Sequence, residues 1–403
     1  MSAPTIKKAP LWLLVMITIS GTLAMHMFVP ALPDAAQSLG VSRAAMQMTI
    51  SIYILGLAFG QLLYGPLSDG LGRRPMLLVG LSLYTLAGLA AAFAPNVDTL
   101  VAARLVQALG GCAGLALGRA MVRDTSQAAD AVRDLALLNL MMMIGPGFAP
   151  LLGSMVSLAF GWRGIFVVLV TLGAVTWFFT WRLLPETGRP SGKISVRALA
   201  RDYRALLSNP SFLGFSVGGG LATTSIYAFI AAGPFIIANE LHRPLHEVGI
   251  YLGLLIVGMS VGNALTRRLI RTVHIDRLLL LGCSISVISA LALLMVVWHG
   301  NLNVVDMVAL MFLFTLGAGL CSPAALTRSL GVDAALVGSA AGLYGFAQMV
   351  AGALCSFIVG AFADAALGAA TVLSAAAAIS LICFVLALRF ERPAEAVSVA
   401  DAA

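Results

Sequence analysis

Residues 65–74, called the Asp69 loop below, bring an acid and two cations together between two long apolar stretches. Asp69 comes four residues before Arg73 and five before Arg74. A carboxylate at a helix end can accept hydrogen bonds from the free N–H groups of a neighbouring helix, and an arginine there needs an anionic partner. The best candidate partner for Arg73 is Asp124, just beyond the predicted fourth helix. Solvated surface charges are the alternative.

The glycines of this loop predict a tight turn at a membrane surface. Gly70 and Gly72 allow backbone angles that are closed to other residues. We therefore expect one helix to end near Ser68 and the next to begin at Pro75.

Arg104 and Gln107 lie inside another apolar stretch, three residues apart and therefore on one helix face. A cation at helix depth costs at least about 2.5 kcal/mol on insertion scales. We therefore expect Arg104 to face a polar cavity. Snorkelling to the interface is the alternative, because Arg104 lies about five residues from the predicted outer end of its helix.

Glycines and prolines are concentrated in the predicted fifth helix, at Gly145, Pro146, Pro150 and Gly153. Proline removes a backbone hydrogen bond, and glycine lets another helix approach closely, so this segment should bend and pack. By sequence alone, a packing kink explains the pattern as well as a transport role does.

The composition requires a lipid bilayer. Hydrophobic residues make up 60% of the chain and charged residues only 10%, and the mean hydropathy is +0.99. The net charge of +7 would suggest nucleic acid in a soluble protein, but retention of Lys and Arg on the cytoplasmic side explains it here, so no nucleic-acid partner is expected. The five cysteines lie in apolar runs without paired spacing and predict neither a disulfide nor a metal site. No cofactor is expected.

Twelve stretches are long and apolar enough to span the membrane. The apolar run after Lys8 is one of them, a retained first helix rather than a signal peptide. The predicted spans are 11–33, 44–68, 75–94, 98–119, 134–158, 163–184, 211–238, 247–269, 277–298, 304–327, 336–362 and 367–389.

Loop charges predict the orientation. Of the 24 Lys and Arg residues, twenty fall at loops on one side and three on the other, with Arg104 inside a helix. The positive-inside rule then places both termini in the cytoplasm.

Hydropathy collapses between Pro185 and Pro210, which predicts a cytoplasmic linker (185–210) between an N-terminal six-helix bundle (1–184) and a C-terminal one (211–403). Within the linker, the spacing of its leucines predicts a short amphipathic surface helix from Arg197 to Leu207. The halves resemble each other weakly, and the acid of the Asp69 loop has no counterpart near Arg267. The predicted fold is an all-α polytopic membrane protein with twelve helices in two pseudo-symmetric bundles, the architecture of transporters with a substrate site near the midplane.

The sequence resembles the major facilitator superfamily, in particular its Bcr/CflA branch of twelve-helix drug:proton antiporters. The loop matches the family pattern G-x-L-a-D-r-x-G-r-k, the fourth helix resembles R-x-x-Q-G, and the fifth resembles the antiporter motif G-P-x-x-G. The matching residues are Gly65, Leu67, Asp69, Gly72, Arg73, Arg74, Arg104, Gln107, the run 145–153, the helix endings Val29–Pro33 and Leu184–Thr187, and the Trp162-Arg163 step.

This resemblance implies roles for the charged residues. Asp69 would cap the eleventh helix when the cytoplasmic side is shut, Arg73 would pair with Asp124, and the fifth-helix motif would indicate export. The branch usually has an acid for proton coupling in the first helix, where this chain has His26. Either His26 replaces that acid, or coupling is lost or moved. Helix directions put His26 and Arg104 at similar depth, so we expect them to share one cavity.

The resemblance therefore implies a monomeric exporter of small lipophilic compounds in a bacterial inner membrane, driven by proton exchange, with no enzyme chemistry. Few polar groups in an apolar cavity favour neutral, partly aromatic substrates. Packing against neighbours or lipid is the alternative for each of the expected substrate contacts, which are Tyr53, Phe148, Tyr227, Phe235, Tyr344 and Gln348.

Two other functions are open. One is proton-linked transport of a metabolite such as a sugar or an amino acid, against which the scarcity of buried Asn, Gln and acids argues. The other is a membrane receptor or scaffold without transport, which would need a sizeable soluble domain.

Overall fold

The structure is a computed structural model that describes residues 10–125, 128–188, 196–333 and 336–400, with side chains throughout these ranges except at 119, 123–146, 196, 198, 245, 246 and 391–400. Every regular element in these ranges is helical. The α-helices are α1 Leu11–Phe28, α2 Leu32–Leu39, α3 Arg43–Leu71, α4 Arg73–Ala92, α5 Val97–Thr125, α6 Ala128–Leu183, α7 Val196–Leu207, α8 Pro210–Thr224, α9 Ile226–Phe235, α10 Leu245–Leu269, α11 Ile275–Trp298, α12 Val304–Gly331, α13 Val337–Val359 and α14 Ala365–Ala400.

The membrane spans agree with the predicted number. Within the described residues, 11 helical segments are long and apolar enough to cross a membrane. One of them, Gly147–Leu183, has 37 residues, whereas a span needs about 20. Gly161 interrupts it with φ 69° and ψ 173°, backbone angles that suit glycine. The expected fifth and sixth helices are therefore separate spans joined at Gly161.

The chain divides into two compact units. The first contains Met1–Ser195 and Pro244–Gly253, and the second contains Val196–Arg243 and Leu254–Ala403. The division at residue 195 falls inside the expected linker.

The linker contains the amphipathic helix α7. Of the leucines on its expected apolar face, Leu206 is buried, whereas Leu207 is half exposed. Arg201 and Arg204 are exposed. The position of α7 on a membrane surface stays a prediction.

Glycines bring the helices of each unit into backbone contact. In the first unit, a Cβ added to Gly56 of α3 would lie 2.9 Å from the carbonyl oxygen of Leu105 in α5. In the second unit, a Cβ added to Gly258 of α10 would lie 2.8 Å from the carbonyl oxygen of Phe312 in α12. Such close approach gives van der Waals contact and is how helices associate in lipid. The two units thus share a packing device at corresponding spans.

The turn of the Asp69 loop differs from the prediction. Helix α3 continues to Leu71, and α4 begins at Arg73 rather than at Pro75. Gly72 alone makes the turn, with φ 102°, whereas Gly70 is helical. Helix α3 thus extends past its predicted end and α4 begins before its predicted start, because charged side chains at a helix end extend into water and do not stop the helix.

The seventh span has a tighter turn at its centre. Helix α8 ends at Thr224 and α9 begins at Ile226. Ser225, between them, keeps helical angles (φ −57°, ψ −24°), and the N–H of Ala228 donates to its carbonyl at 2.9 Å, an i→i−3 bond that tightens the turn.

Candidate functional site

Arg104 is fully buried inside the first unit, with 0% of its side chain exposed. Its Nη1 donates to the carbonyl oxygen of Ala24 in α1 at 3.0 Å and to Oε1 of Gln107 at 2.8 Å. The prediction that Arg104 and Gln107 share one helix face is therefore confirmed. The expectation that Arg104 faces a polar cavity is wrong, and so is snorkelling, because no part of the side chain reaches an open surface.

Aromatic rings replace the expected polar cavity. The guanidinium carbon of Arg104 lies 3.9 Å from the ring centroid of Tyr53, 5.5 Å from that of Phe28 and 5.8 Å from that of Phe166. We call these three rings the Arg104 cage. A cation over an aromatic face is attracted by the ring quadrupole, by about 2 kcal/mol or more when desolvated. This attraction offsets part of the cost of burying the charge.

Some donors in this cluster have no acceptor. Nε and Nη2 of Arg104 and Nε2 of Gln107 are buried and make no hydrogen bond to a described residue. A buried donor without an acceptor costs about 1–3 kcal/mol, and more when it is charged. The cluster is therefore a buried positive charge, and two of its three guanidinium nitrogens make no hydrogen bond to a described residue.

His26 lies on the face of α1 opposite to Ala24, whose carbonyl binds Arg104. Its Nδ1 lies 2.8 Å from the carbonyl oxygen of Thr22, and the residue is 6% exposed. A carbonyl only accepts, so Nδ1 carries the proton in the neutral ring, and Nε2 is the nitrogen that gains one on charging. His26 is two residues from Ala24, which is about 200° around the helix axis at 3.6 residues per turn. The expected shared cavity is thus corrected: α1 itself separates His26 from Arg104.

Tyr53 is a structural residue in this conformation. It is 0% exposed, its hydroxyl donates to the carbonyl of Gly21 at 2.7 Å, and its ring forms one wall of the Arg104 cage. Tyr84 makes a similar bond from α4 to the carbonyl of Ser20, at 3.1 Å. These two bonds tie α1 to α3 and α4, so for Tyr53 packing against neighbours is the better description.

The other expected substrate contacts differ in how far their side chains are exposed. Phe148 is 60% exposed, whereas Phe235 and Tyr344 are each 4% exposed. Tyr227 and Gln348 are partly buried. Gln348 is held by hydrogen bonds from α13 to α8, which are described below. A role in binding stays a prediction for these five residues.

The fifth-helix motif packs on α1 beside His26. A Cβ on Gly153 would collide with the carbonyl oxygen of Met27, so only glycine fits there. The carbonyl of Pro150 accepts a hydrogen bond from Ser154 at 2.9 Å. Gly145 and Pro146 lie outside the residues whose side chains are described. Gly153 therefore fits the predicted close packing.

The Asp69 loop is held by three groups. Nη1 of Arg73 lies 2.8 Å from Oδ1 of Asp69 and donates to the hydroxyl of Ser68. The predicted partner Asp124 lies outside the residues whose side chains are described, so that pairing stays a prediction. The third group is Glu186, whose Oε1 accepts from the N–H of Arg73 at 2.9 Å and whose Oε2 accepts from that of Arg74 at 3.2 Å.

Sequence reasoning missed Glu186 as a functional candidate. It lies just after the sixth span and acts as an N-terminal cap for α4, a helix whose own first turn has no acid. The sequence signal that could have revealed it is the pair Arg73 and Arg74 at a helix start. The helix dipole is positive there, so an anion from elsewhere in the chain stabilises the helix.

The second unit has an ion pair at the corresponding place. Asp276, in the first turn of α11, accepts a hydrogen bond of 2.7 Å from Nε of Arg328, in the last turn of α12. Nη2 of Arg328 lies 2.5 Å from the same oxygen. We expected the second half to have no counterpart of Asp69. This is so in the loop near Arg267, but Asp276 supplies an acid at the start of the next helix.

Comparison with known proteins relates the chain to transporters. The family model described as Major Facilitator Superfamily matches residues 14–355. The uncharacterized MFS-type transporter YdgK of Bacillus subtilis is 30% identical, over 87% of this chain and 88% of its own. Multidrug resistance protein D of Escherichia coli is 30% identical, over 84% and 85%. The bicyclomycin resistance protein homolog of Haemophilus influenzae is 27% identical, over 67% and 69%.

Solved structures show the same fold at low identity. A bacterial homologue of the human lysosomal transporter Spinster, in an inward-facing conformation, has a TM-score of 0.73 at 14% identity, covering 95% of this chain and 97% of its own. The xylose transporter XylE of E. coli has a TM-score of 0.68 at 14% identity, covering 94% and 97%.

Proposed function

The chain belongs to the Major Facilitator Superfamily and is a polytopic membrane transporter, and from this premise we propose that it exports small lipophilic antibiotics, such as phenicols or bicyclomycin-like drugs, by proton antiport. The observation that carries the proposal is similarity over most of the chain to proteins named for multidrug and bicyclomycin resistance. Export would proceed by alternating access, with the protein working as a monomer in the bacterial inner membrane and both termini in the cytoplasm.

The chemistry of the spans supports neutral or weakly polar substrates. Among the described side chains, acids of the spans lie at helix ends, such as Asp34, Asp69 and Asp276. The buried cation Arg104 is enclosed by its cage and by Gln107. A multivalent cation would therefore find no compensating carboxylate at mid-depth among the described residues, whereas an apolar substrate needs none.

His26 is the proposed coupling residue. It is the titratable group on the face of α1 that points away from Arg104, and histidine is the side-chain type whose unperturbed charge changes between pH 5 and 8. Because α1 and the cage separate the two groups, protonation at Nε2 does not bring two cations into contact. Substrate would leave when His26 is charged and bind when it is neutral.

Transport assays in proteoliposomes test the proposal. Purified protein should accumulate chloramphenicol or bicyclomycin inside vesicles when an imposed pH gradient drives protons outward. Without an imposed gradient, substrate added outside should move protons out of the vesicles. Growth of a pump-deficient strain on a panel of antibiotics would identify the substrates in parallel. Uptake that ignores the pH gradient would remove antiport from the proposal, and uptake of sugars or amino acids but no drug would replace it.

A further inference from the structure

We propose that Gln348 presents its side-chain carbonyl to the transported compound as a hydrogen-bond acceptor, and that the transporter thereby selects neutral compounds with an O–H or N–H group at that point. The inference rests on the proposed function, since it names the ligand chemistry of an export site. It is carried by the contacts between α8 and α13 inside the second unit.

The hydrogen bonds of Thr223 fix the orientation of the Gln348 side-chain amide. The hydroxyl of Thr223 donates its one proton to the carbonyl of Gly219, at 2.6 Å. The Thr223 oxygen can then only accept from Gln348, whose nitrogen lies 2.7 Å away. The NH2 group of Gln348 is therefore committed to Thr223, and its Oε1 points elsewhere.

The neighbouring backbone is held in place as well. The hydroxyl of Thr224 donates to the main-chain carbonyl of Gln348 at 2.6 Å. A Cβ on Gly220 would lie only 3.1 Å from the Cα of Gln348, so α8 and α13 touch at this level. Side chain and backbone of Gln348 are both fixed, which lowers the entropy cost of binding a ligand there.

The carbonyl of the amide has no protein partner. Oε1 of Gln348 makes no hydrogen bond to any residue that the structure describes, and the side chain is partly exposed. An acceptor at span depth is costly unless a donor meets it. Thr224, whose hydroxyl binds the main chain of Gln348, comes directly before the tight turn at Ser225 in the seventh span.

The surroundings exclude a charged donor. Helices α8, α9 and α13 contain no Asp, Glu, Lys or Arg in their sequences. An ammonium group at Gln348 would have only a neutral carbonyl as its partner. That interaction does not offset the free-energy cost of removing the charge from water. A hydroxyl or an amide N–H fits the same acceptor without that cost, so the site selects neutral donors.

Two phenicols that differ at one group test this selection. Florfenicol has fluorine where thiamphenicol has its terminal hydroxyl, so the pair differs in one O–H donor. Binding to the purified full-length protein should be about two- to tenfold tighter for thiamphenicol, the range expected for one net hydrogen bond. Gln348→Leu should bring the ratio of the two dissociation constants close to one. Thr223→Val should lower it too, because the amide is then free to turn. The matched control Thr266→Val should preserve it, because that hydroxyl bonds to the carbonyls of Gly262 and Leu320 and not to Gln348.

The possible outcomes distinguish a failure of the proposed role of Gln348 from a failure of the proposed drug export. Equal binding of both compounds by the wild type, or a ratio unchanged in both Gln348→Leu and Thr223→Val, overturns the role of Gln348 and leaves phenicol export standing. If Gln348→Leu fails to fold, Thr223→Val alone decides. Failure of the wild type to bind or transport either compound overturns phenicol export together with the inference.

Discussion

The carboxylate of Glu186 binds the backbone N–H of Arg73 at 2.9 Å, across 113 residues of sequence. Arg73 begins α4, so two arginines occupy the positive end of a helix dipole. Glu186 supplies the negative charge that this helix start lacks. The corresponding helix in the second unit, α11, has its own acid, Asp276, in the first turn and makes no use of such a cap.

We expect Glu186→Ala to destabilise the protein by about 0.5–2 kcal/mol, the usual cost of losing a helix cap. Glu186→Gln should cost less, since an amide oxygen can still accept one of the two bonds. Thermal unfolding in detergent measures both. Glu186→Asp is the control, because it keeps the charge and shortens the reach; full stability in this variant would show that charge alone, without the hydrogen bonds, is sufficient.

A second prediction concerns the partner of Arg73. If Asp124 pairs with Arg73 during transport, Arg73→Ala and Asp124→Ala should each reduce drug efflux, and the exchanged pair should restore part of it, with a coupling energy of about 0.5–3 kcal/mol. Efflux in cells measures all four proteins. Arg73 already contacts Asp69 at 2.8 Å. Unchanged efflux in Asp124→Ala would therefore mean that Asp69 is a sufficient partner.

The Arg104 cage makes a third prediction. Tyr53→Phe removes the bond to Gly21 but keeps the ring under the guanidinium, so we expect a loss of about 1 kcal/mol in stability and retained transport. Tyr53→Leu removes the ring and should cost about 2 kcal/mol more. Thermal unfolding and efflux separate the two variants. Equal stability of Phe and Leu variants would show that the ring face does not hold the charge.

The ion pair Asp276–Arg328 gives a fourth prediction. Both side chains are about a quarter exposed, and each lies at the helix end that favours its charge. We expect Asp276→Asn and Arg328→Gln each to reduce transport, with a non-additive double variant. Exchanging the charges should restore only part of the activity, because both residues would then oppose the helix dipoles. Full recovery after the exchange would assign the effect to the pair alone.

The last prediction concerns His26. We expect His26→Ala to bind neutral drugs but to lose pumping driven by the pH gradient, since the variant has no titratable group on that face of α1. His26→Asp should gain affinity for cationic drugs, because its carboxylate would lie away from Arg104 and stay uncompensated. Substrate-induced proton movement in proteoliposomes measures both effects. An unaltered pH-gradient dependence in His26→Ala would move the coupling site elsewhere.

The sequence alone determined the class, the spans and the family resemblance of this protein, because these properties depend on local composition. About 20 apolar residues in a row suffice for a span wherever they occur. Proximity of Arg104 and Gln107 was also predictable, since residues three apart share a helix face.

Only the tertiary structure decided where these side chains point. The walls around Arg104 come from Phe28, Tyr53 and Phe166, residues on three different spans. The cap on α4 comes from Glu186, 113 residues away. Hydropathy fixes a helix's depth but not its rotation about its axis, and that rotation is set by which small residues let neighbouring helices approach. Their similar depth led to the prediction that His26 lies beside Arg104. The rotation of α1 instead places the two side chains on opposite sides of that helix.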